Sequence, residues 1–229
     1  MSKELPNPRA LWGPGVTKPI QAKRYLNYQA LKVAEEIDAT KVLQIGCGLG
    51  DSLFFLEESR DGKYSGITSQ SAWVGKAGEV SLKKGTHQKI RFFYGDFKDP
   101  RTYRTFPGQD LLLLFDSIAV QGLDVITASA PSLRMGGRLL ISGVFAPPGS
   151  SLGYPQLEKL LELADSEDLE IMNRQDLSSS VKRSLIDGLK RAILTSKDPL
   201  SVDAQIQEES KKIIAGELAY HYLEFYKRS

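Results

Sequence analysis

Lys41-Val-Leu-Gln-Ile-Gly-Cys-Gly-Leu-Gly50 joins a run of strand-forming residues to three glycines in five positions. Such a junction ends a buried strand in a turn that a ligand can approach closely, because glycine accepts positive φ and places no Cβ between the peptide planes and what lies against them. The residues that follow, Asp51-Ser-Leu-Phe-Phe-Leu-Glu-Glu58, have the apolar spacing of a short helix, and the first N–H groups of that helix would face an anionic group. Strand, glycine turn and helix make half of a nucleotide site.

Outward from this stretch, short apolar segments bounded by turn residues predict strands at about 41–46, 63–68, 90–95, 110–116 and 137–145. Helices are expected between and before them. Tyr25, Leu26, Ala30, Leu31, Val33 and Ala34 recur at helical spacing within Gln21–Ile37; Ser71–Lys84 opens on serine and stops before Gly85; Leu123–Arg134 stops before Gly136. Repeated strand-helix alternation predicts an α/β fold, a parallel sheet with helices on both faces. After Val144 comes a Pro- and Gly-rich loop, then a helix over Tyr154–Ala164, a sixth strand at Leu169–Met172, helical stretches at about 178–195 and 201–215 split by Ser196-Lys-Asp-Pro199, and an aromatic-rich final strand, Leu218–Tyr226. Residues 1–20, with four prolines and two glycines, are expected to form an irregular arm over a domain spanning 21–229. Trp12 in that arm reads as a pocket wall or an anchor.

The 229 residues, 41% hydrophobic and 25% charged, suit one globular domain with a lid. Thirty basic and 28 acidic residues leave a net charge of +2 with both signs interspersed, which offers no basic field to a nucleic-acid backbone. The single cysteine, Cys47, excludes an intrachain disulfide and, with only two histidines, a Cys/His metal cluster. Between two turn glycines, Cys47 reads as filler rather than nucleophile. No run reaches the roughly 18 apolar residues needed to span a bilayer, and the segment beginning Met-Ser-Lys-Glu-Leu-Pro-Asn-Pro has no apolar signal core. A cytoplasmic location without membrane attachment is therefore expected.

Spacing narrows the ligand. The dinucleotide fingerprint G-x-G-x-x-G, started at Gly46, requires glycine where the chain has Asp51. The second strand ends Tyr64-Ser-Gly-Ile-Thr-Ser-Gln70 without an acid for the ribose, which leaves only a phosphorylated dinucleotide, held by Arg60 or Lys63, as a variant of that reading. From about residue 22 onward the chain instead resembles the class I S-adenosylmethionine-dependent methyltransferases. Val42-Leu-Gln-Ile-Gly-Cys-Gly-Leu-Gly50 is similar to their first motif, Gly66-Ile-Thr-Ser-Gln70 to the second-strand end of the small-molecule branch, Phe93-Tyr-Gly-Asp-Phe97 to the third-strand motif, and Leu133-Arg-Met-Gly-Gly-Arg-Leu-Leu-Ile-Ser142 to the segment entering the fifth strand. Arg174-Gln-Asp-Leu-Ser178 and the closing Gly216–Lys227 segment place the likeness nearest the cyclopropane-synthase-like and natural-product enzymes.

The resemblance implies a seven-stranded Rossmann-like sheet of order 3-2-1-4-5-7-6 with the last strand antiparallel, a helical lid at about 21–38 and 178–215, and S-adenosylmethionine as cofactor. It assigns the backbone of Gly46, Cys47, Gly48 and Gly50 to the amino-acid and ribose part of the cofactor, Thr68, Ser69 and Gln70 to the ribose, Asp96 to the adenine amino group and Phe97 to the adenine ring. The duller readings are a plain turn, and for Asp96 and Phe97 a helix cap followed by a core aromatic. The family's first strand usually carries an acid two residues before the first glycine. Here that residue is Gln44, a neutral acceptor that binds a cationic amino group less strongly than a carboxylate, or one that satisfies neighbouring backbone groups.

Asp116, at the carboxyl end of the fourth strand, where open parallel sheets place ligands, reads as a cofactor-contacting or catalytic acid, or as a cap for the Ser117–Gln121 turn. The histidine or glutamate that relatives use a few residues later is replaced by Val120, Gln121 and Gly122. A histidine base would be His221, since His87 sits in a polar connection. Tyr25, Tyr28 and Tyr154 read as walls of a substrate cavity or as core. The expected activity is methyl transfer to a small, largely apolar metabolite. A second reading is a methyltransferase-like protein that holds the cofactor structurally while guiding another reaction or serving as a binding subunit. The loop after the fifth strand is shorter than the insertion common in this branch, which implies either a more open cavity or one completed by the second subunit of a homodimer.

Overall fold

In the computed structural model, which describes residue 11 and residues 16–195 and 204–228, Gln-Asp-Leu-Leu-Leu-Leu-Phe forms β4 (Gln109–Phe115), buried at every position. A strand with no polar face requires cover on both sides, as in a parallel sheet flanked by helices. β1 (Lys41–Ile45) lies beside β4 and β2 (Lys63–Thr68), β2 beside β3 (Ile90–Tyr94), and β4 beside β5 (Leu133–Phe145), all parallel. β7 (Ala219–Lys227) runs antiparallel between β5 and β6 (Leu169–Asp176). The seven-stranded order is β3-β2-β1-β4-β5-β7-β6.

The helices are α1 (Pro19–Lys23), α2 (Tyr25–Glu36), α3 (Asp51–Ser59), α4 (Ser71–Lys84), α5 (Pro100–Tyr103), α6 (Ile118–Gln121), α7 (Asp124–Ser129), α8 (Leu157–Ser166), α9 (Ser178–Thr195) and α10 (Ala204–Ala215). Alternation along β4 feeds two apolar layers. In one, Leu111 and Leu113 join Val42, Leu140, Val144, Tyr220 and Tyr222 beneath Ala30 and Val33 of α2, Val181 and Leu185 of α9 and Ile213 of α10. In the other, Leu112 and Leu114 join Leu43, Ile45, Ile141, Leu223 and Phe225 against Val125 and Ile126 of α7 and Leu157 and Leu160 of α8. Each such side chain contributes about 1.5–3 kcal/mol when fully buried, so both faces of the sheet hold the fold together.

Several boundaries differ from the sequence expectation for local reasons. The helix read over Leu123–Arg134 stops at Ser129, gives one 3-10 turn at Ala130–Ser132, and yields to β5 at Leu133. Pro131 has no N–H with which to continue the helix. The helix read from Tyr154 starts at Leu157, because a residue before proline, here Tyr154 before Pro155, disfavours helical backbone. Gln21–Ile37 is broken at Arg24 into α1 and α2, and β6 runs on to Asp176 because β7 supplies a ladder that far. Of the expected N-terminal arm, residues 1–10 and 12–15, including Trp12, lie outside the described residues, as does Ser196–Pro199. Leu11 is buried, its N–H donating to the Ala22 carbonyl at 2.8 Å. Among the described residues no helix is long and apolar enough to cross a membrane, and no His/Cys/Asp/Glu group is arranged to hold a metal.

Candidate active site

β1 delivers the chain into a turn in which Gly46, Gly48 and Gly50 have φ of 73°, 54° and 88°. A Cβ at Gly46 would stand 2.7 Å from Ser117 Cβ, and one at Gly50 would stand 2.5 Å from Phe92 Cζ. These two glycines are therefore required by the protein's own close packing, whatever a ligand adds. At Gly48 a Cβ would meet only the edge of Trp73, Cζ3 at 3.4 Å. The Gly46 and Cys47 N–H groups both donate to the Ile67 carbonyl, at 2.9 and 3.1 Å, tying the turn to the end of β2.

Cys47 is buried, and burial pushes its thiol pKa up to about 12. Its Sγ occupies the space a side chain at Gly66 would need, since a Cβ there would lie 2.7 Å away. A thiol so far from ionisation packs rather than attacks.

Gln44 lies beneath the turn, 5% exposed. Its Nε2 donates to Ser52 Oγ at 3.4 Å, at the start of α3. Its Oε1 is buried with no hydrogen-bond partner among the described residues. An unsatisfied buried carbonyl costs about 1–3 kcal/mol, and a ligand N–H reaching it would recover that cost.

The ends of β2 and β3 carry the remaining residues assigned to a cofactor. Thr68 is buried, its Oγ1 accepting from the Gln70 N–H at 3.3 Å, while Ser69 and Gln70 are exposed. Asp96 is exposed, and its Oδ1 accepts from the Lys98 N–H at 2.9 Å. Phe97, expected against an aromatic ring, is instead 2% exposed within the α7–α8 layer, with the Tyr103 hydroxyl donating to its carbonyl at 2.8 Å.

Asp116 follows β4 with φ of 53°, a left-handed conformation that aspartate tolerates better than most residues. Its N–H donates to the Ser142 carbonyl at 2.9 Å, and its Oδ1 accepts from the Tyr220 hydroxyl at 2.7 Å. Ser117 stands at the N-cap position of α6 without a side-chain cap bond, and Oδ1 of Asp116 reaches β7.

Asp116 and His221, each read from the sequence as a candidate base, are served by opposite faces of β7. β7 alternates: Tyr220 and Tyr222 enter the layer under α2, α9 and α10, whereas Leu223 and Phe225 enter the opposite one. His221 goes with the latter, its ring 5.9 Å from that of Phe145. It is 6% exposed with Nδ1 unpartnered among the described residues. Burial pushes its pKa below the ordinary histidine value, with Asp176 pulling the other way.

The three tyrosines separate. Tyr25 is buried and donates from its hydroxyl to Gln175 Oε1 at 3.0 Å, joining α2 to β6. Tyr154 lines an open groove of about 490 Å³, with Ala119, Gly122, Leu123 and Lys159, beside the turn that follows Asp116. None of residues 46–50 lines this groove. Tyr28 is 45% exposed and packs edge-on against Phe55 of α3, ring centroids 5.1 Å apart, on the outer surface. Residues that sequence reasoning did not single out are Tyr220, which holds Asp116, and Ser142, Tyr222 and Gln175 on the same sheet face. Alternation within Leu218–Tyr226 signals that the tyrosines share a face; nothing local says which.

No protein-family profile matches the sequence. A sterol 24-C-methyltransferase of Gibberella zeae is 33% identical over 131 residues, 57% of this chain and 30% of that protein. The match thus spans less than a third of the curated relative. Among solved structures, the [4+2]-cyclase SpnF superposes with a TM-score of 0.73 at 19% identity, covering 96% of this chain and 87% of that one. Geranyl diphosphate C-methyltransferase from Streptomyces coelicolor A3(2), solved with Mg2+, geranyl diphosphate and S-adenosyl-L-homocysteine, gives 0.73 at 14% identity, covering 95% and 87%. A geranyl diphosphate methyltransferase solved with S-adenosylmethionine gives 0.71 at 19% identity, covering 95% and 94%. With its strand order, antiparallel β7 and glycine turn, the chain has the Rossmann-like fold of the small-molecule S-adenosylmethionine-dependent methyltransferases.

Proposed function

We propose that the chain is a methyltransferase that uses S-adenosylmethionine to methylate a small, largely apolar metabolite. The observation that carries the reading is the buried, unpartnered Gln44 carbonyl beneath the left-handed glycine turn. An acceptor of that kind suits the cofactor's ammonium group, and the turn from Gly46 to Gly50 suits its amino-acid and ribose part. Thr68, Ser69 and Gln70 would meet the ribose hydroxyls and Asp96 the adenine amino group. The bound cofactor would supply a methyl group already activated on a cationic sulfur. The likeness to proteins named as methyltransferases supports this reading.

The protein's own part is positioning and proton removal. Asp116, oriented by Tyr220, is a carboxylate at the sheet's carboxyl edge, and it would take the proton from a hydroxyl or carbon acid. An amine or thiolate acceptor needs only desolvation and alignment, which can supply much of the rate gain. Tyr25 and Tyr154 would wall the acceptor, with α9 and α10 covering it.

A second reading is favoured by the likeness to SpnF, a cyclase, together with the neutral Gln44: the cofactor would be held while the cavity guides a reaction other than methylation. Calorimetry with S-adenosylmethionine, followed by transfer of a labelled methyl group to metabolite fractions, tests both. Binding with transfer supports the first reading and binding without transfer the second. Absence of binding at millimolar cofactor defeats both.

A further inference from the structure

Three polar side chains lie in one row across the sheet, on the face covered by α2, α9 and α10. Ser142 of β5 pairs in register with Tyr222 of β7, and Tyr222 with Gln175 of β6. Gln175 is engaged by the Tyr25 hydroxyl at 3.0 Å. The other two are not engaged: Ser142 Oγ and Tyr222 OH are both buried without a hydrogen-bond partner among the described residues, and both residues are 0% exposed. They sit within the apolar layer that holds Leu140, Val144, Val181, Leu185 and Ile213. Two adjacent buried hydroxyls with nothing to bond are rare in a native core and call for an explanation.

Their position supplies one. Ser142 also pairs with Phe115, the residue before Asp116, and its carbonyl accepts the Asp116 N–H. The row therefore runs one strand position from the acid proposed to take the acceptor's proton. A hydroxyl donates as well as accepts, so two of them at paired positions on one sheet face can both donate to a single carbonyl or hydroxyl oxygen placed between them.

We propose that Ser142 and Tyr222 recognise the acceptor. The substrate is an apolar molecule carrying one ketone or alcohol oxygen, which takes hydrogen bonds from both hydroxyls, while an atom close to that oxygen would give its proton to Asp116 and take the methyl group of the bound cofactor, which would leave as S-adenosylhomocysteine. This inference rests on the methyltransferase reading above and names its substrate class. Hydrocarbon chains and rings without such an oxygen are discriminated against, because they leave both hydroxyls unsatisfied.

The test uses the full chain with S-adenosylhomocysteine, and as probes cyclodecanone and cyclododecanone against the matching cycloalkanes. Calorimetry and thermal shift are run on the wild type, Ser142→Ala, Tyr222→Phe and the double variant. The ketones bind the wild type more tightly than the cycloalkanes, and each single substitution weakens ketone binding about tenfold. The unliganded variants keep the wild-type melting temperature or exceed it, because neither hydroxyl has a partner to lose. Equal binding of ketone and cycloalkane, unchanged ketone affinity in the variants, or a clear drop in unliganded melting temperature overturns the proposal. S-adenosylhomocysteine binding is measured alongside: its absence in the wild type defeats the cofactor reading, whereas its presence without ketone preference defeats only the present one.

Discussion

The Tyr220 hydroxyl donates to Asp116 Oδ1 at 2.7 Å across 104 positions of sequence, joining the end of β4 to the strand that closes the sheet. Tyr220 is fully buried and Asp116 partly so, so the bond fixes the carboxylate's direction. Asp116→Asn keeps a residue that tolerates the left-handed backbone and still accepts from Tyr220. It is expected to fold normally and to lower methyl transfer on the order of a hundredfold if Asp116 removes a proton. Tyr220→Phe removes a hydrogen bond to a charged group and costs about 1.5–3 kcal/mol of stability. Urea melts and single-turnover methyl transfer check both; full activity in Asp116→Asn would assign the acid a structural role.

Gln44 sets how the cofactor's amino group is met. Gln44→Glu places a carboxylate beneath the glycine turn, where a charge-assisted hydrogen bond to an ammonium is stronger than a neutral one. Cofactor affinity is expected to rise roughly tenfold by calorimetry, while the melting temperature of the cofactor-free protein falls, because the buried acid loses its hydration. Weaker cofactor binding by this variant would show that the ammonium does not reach position 44.

His221 gives a stability prediction with a definite sign. Its folded-state pKa lies below the ordinary value, chiefly through burial, so the unfolded chain takes up the proton first. Its contribution is at its full value above about pH 6.5 and is lost as pH falls from there toward the lowered folded pKa. The groups around it oppose one another: Asp176 and Glu158 favour the imidazolium and Arg174 disfavours it. His221→Asn flattens the decline in melting temperature between pH 7 and 5, approximate bounds set by the ordinary histidine pKa. An unchanged slope would assign that decline to the carboxylates.

The glycine turn, α4 and the sheet's strands are legible because each is announced locally, by glycines, caps or apolar runs. The strand order is implied by the resemblance alone, since periodicity carries no information on which strands are neighbours or which edge β7 joins. Other features are decided by contacts that no local pattern records. Pro131 ended α7 against an otherwise helical pattern. Phe97 reads first as a ring contact and second as core, and the α7–α8 layer holds it. Above all, the histidine and tyrosines of β7 looked like one aromatic cluster. Only the helices packed on each side reveal that Tyr220 and Tyr222 belong with Asp116 and His221 does not.

That division follows from the register of β7, in which Tyr220 stands opposite Val144 and His221 opposite Gly143. Side chains alternate with a period of two, so a slip of one residue exchanges the two sets. One residue removed from the turn at Gly216 and Glu217 would hand Asp116 an imidazole in place of a phenol and drive the tyrosines among the leucines of the opposite layer. The length of that short connection thus acts as a chemical selector, deciding whether the carboxylate is partnered by a group that titrates near neutrality or by one that does not.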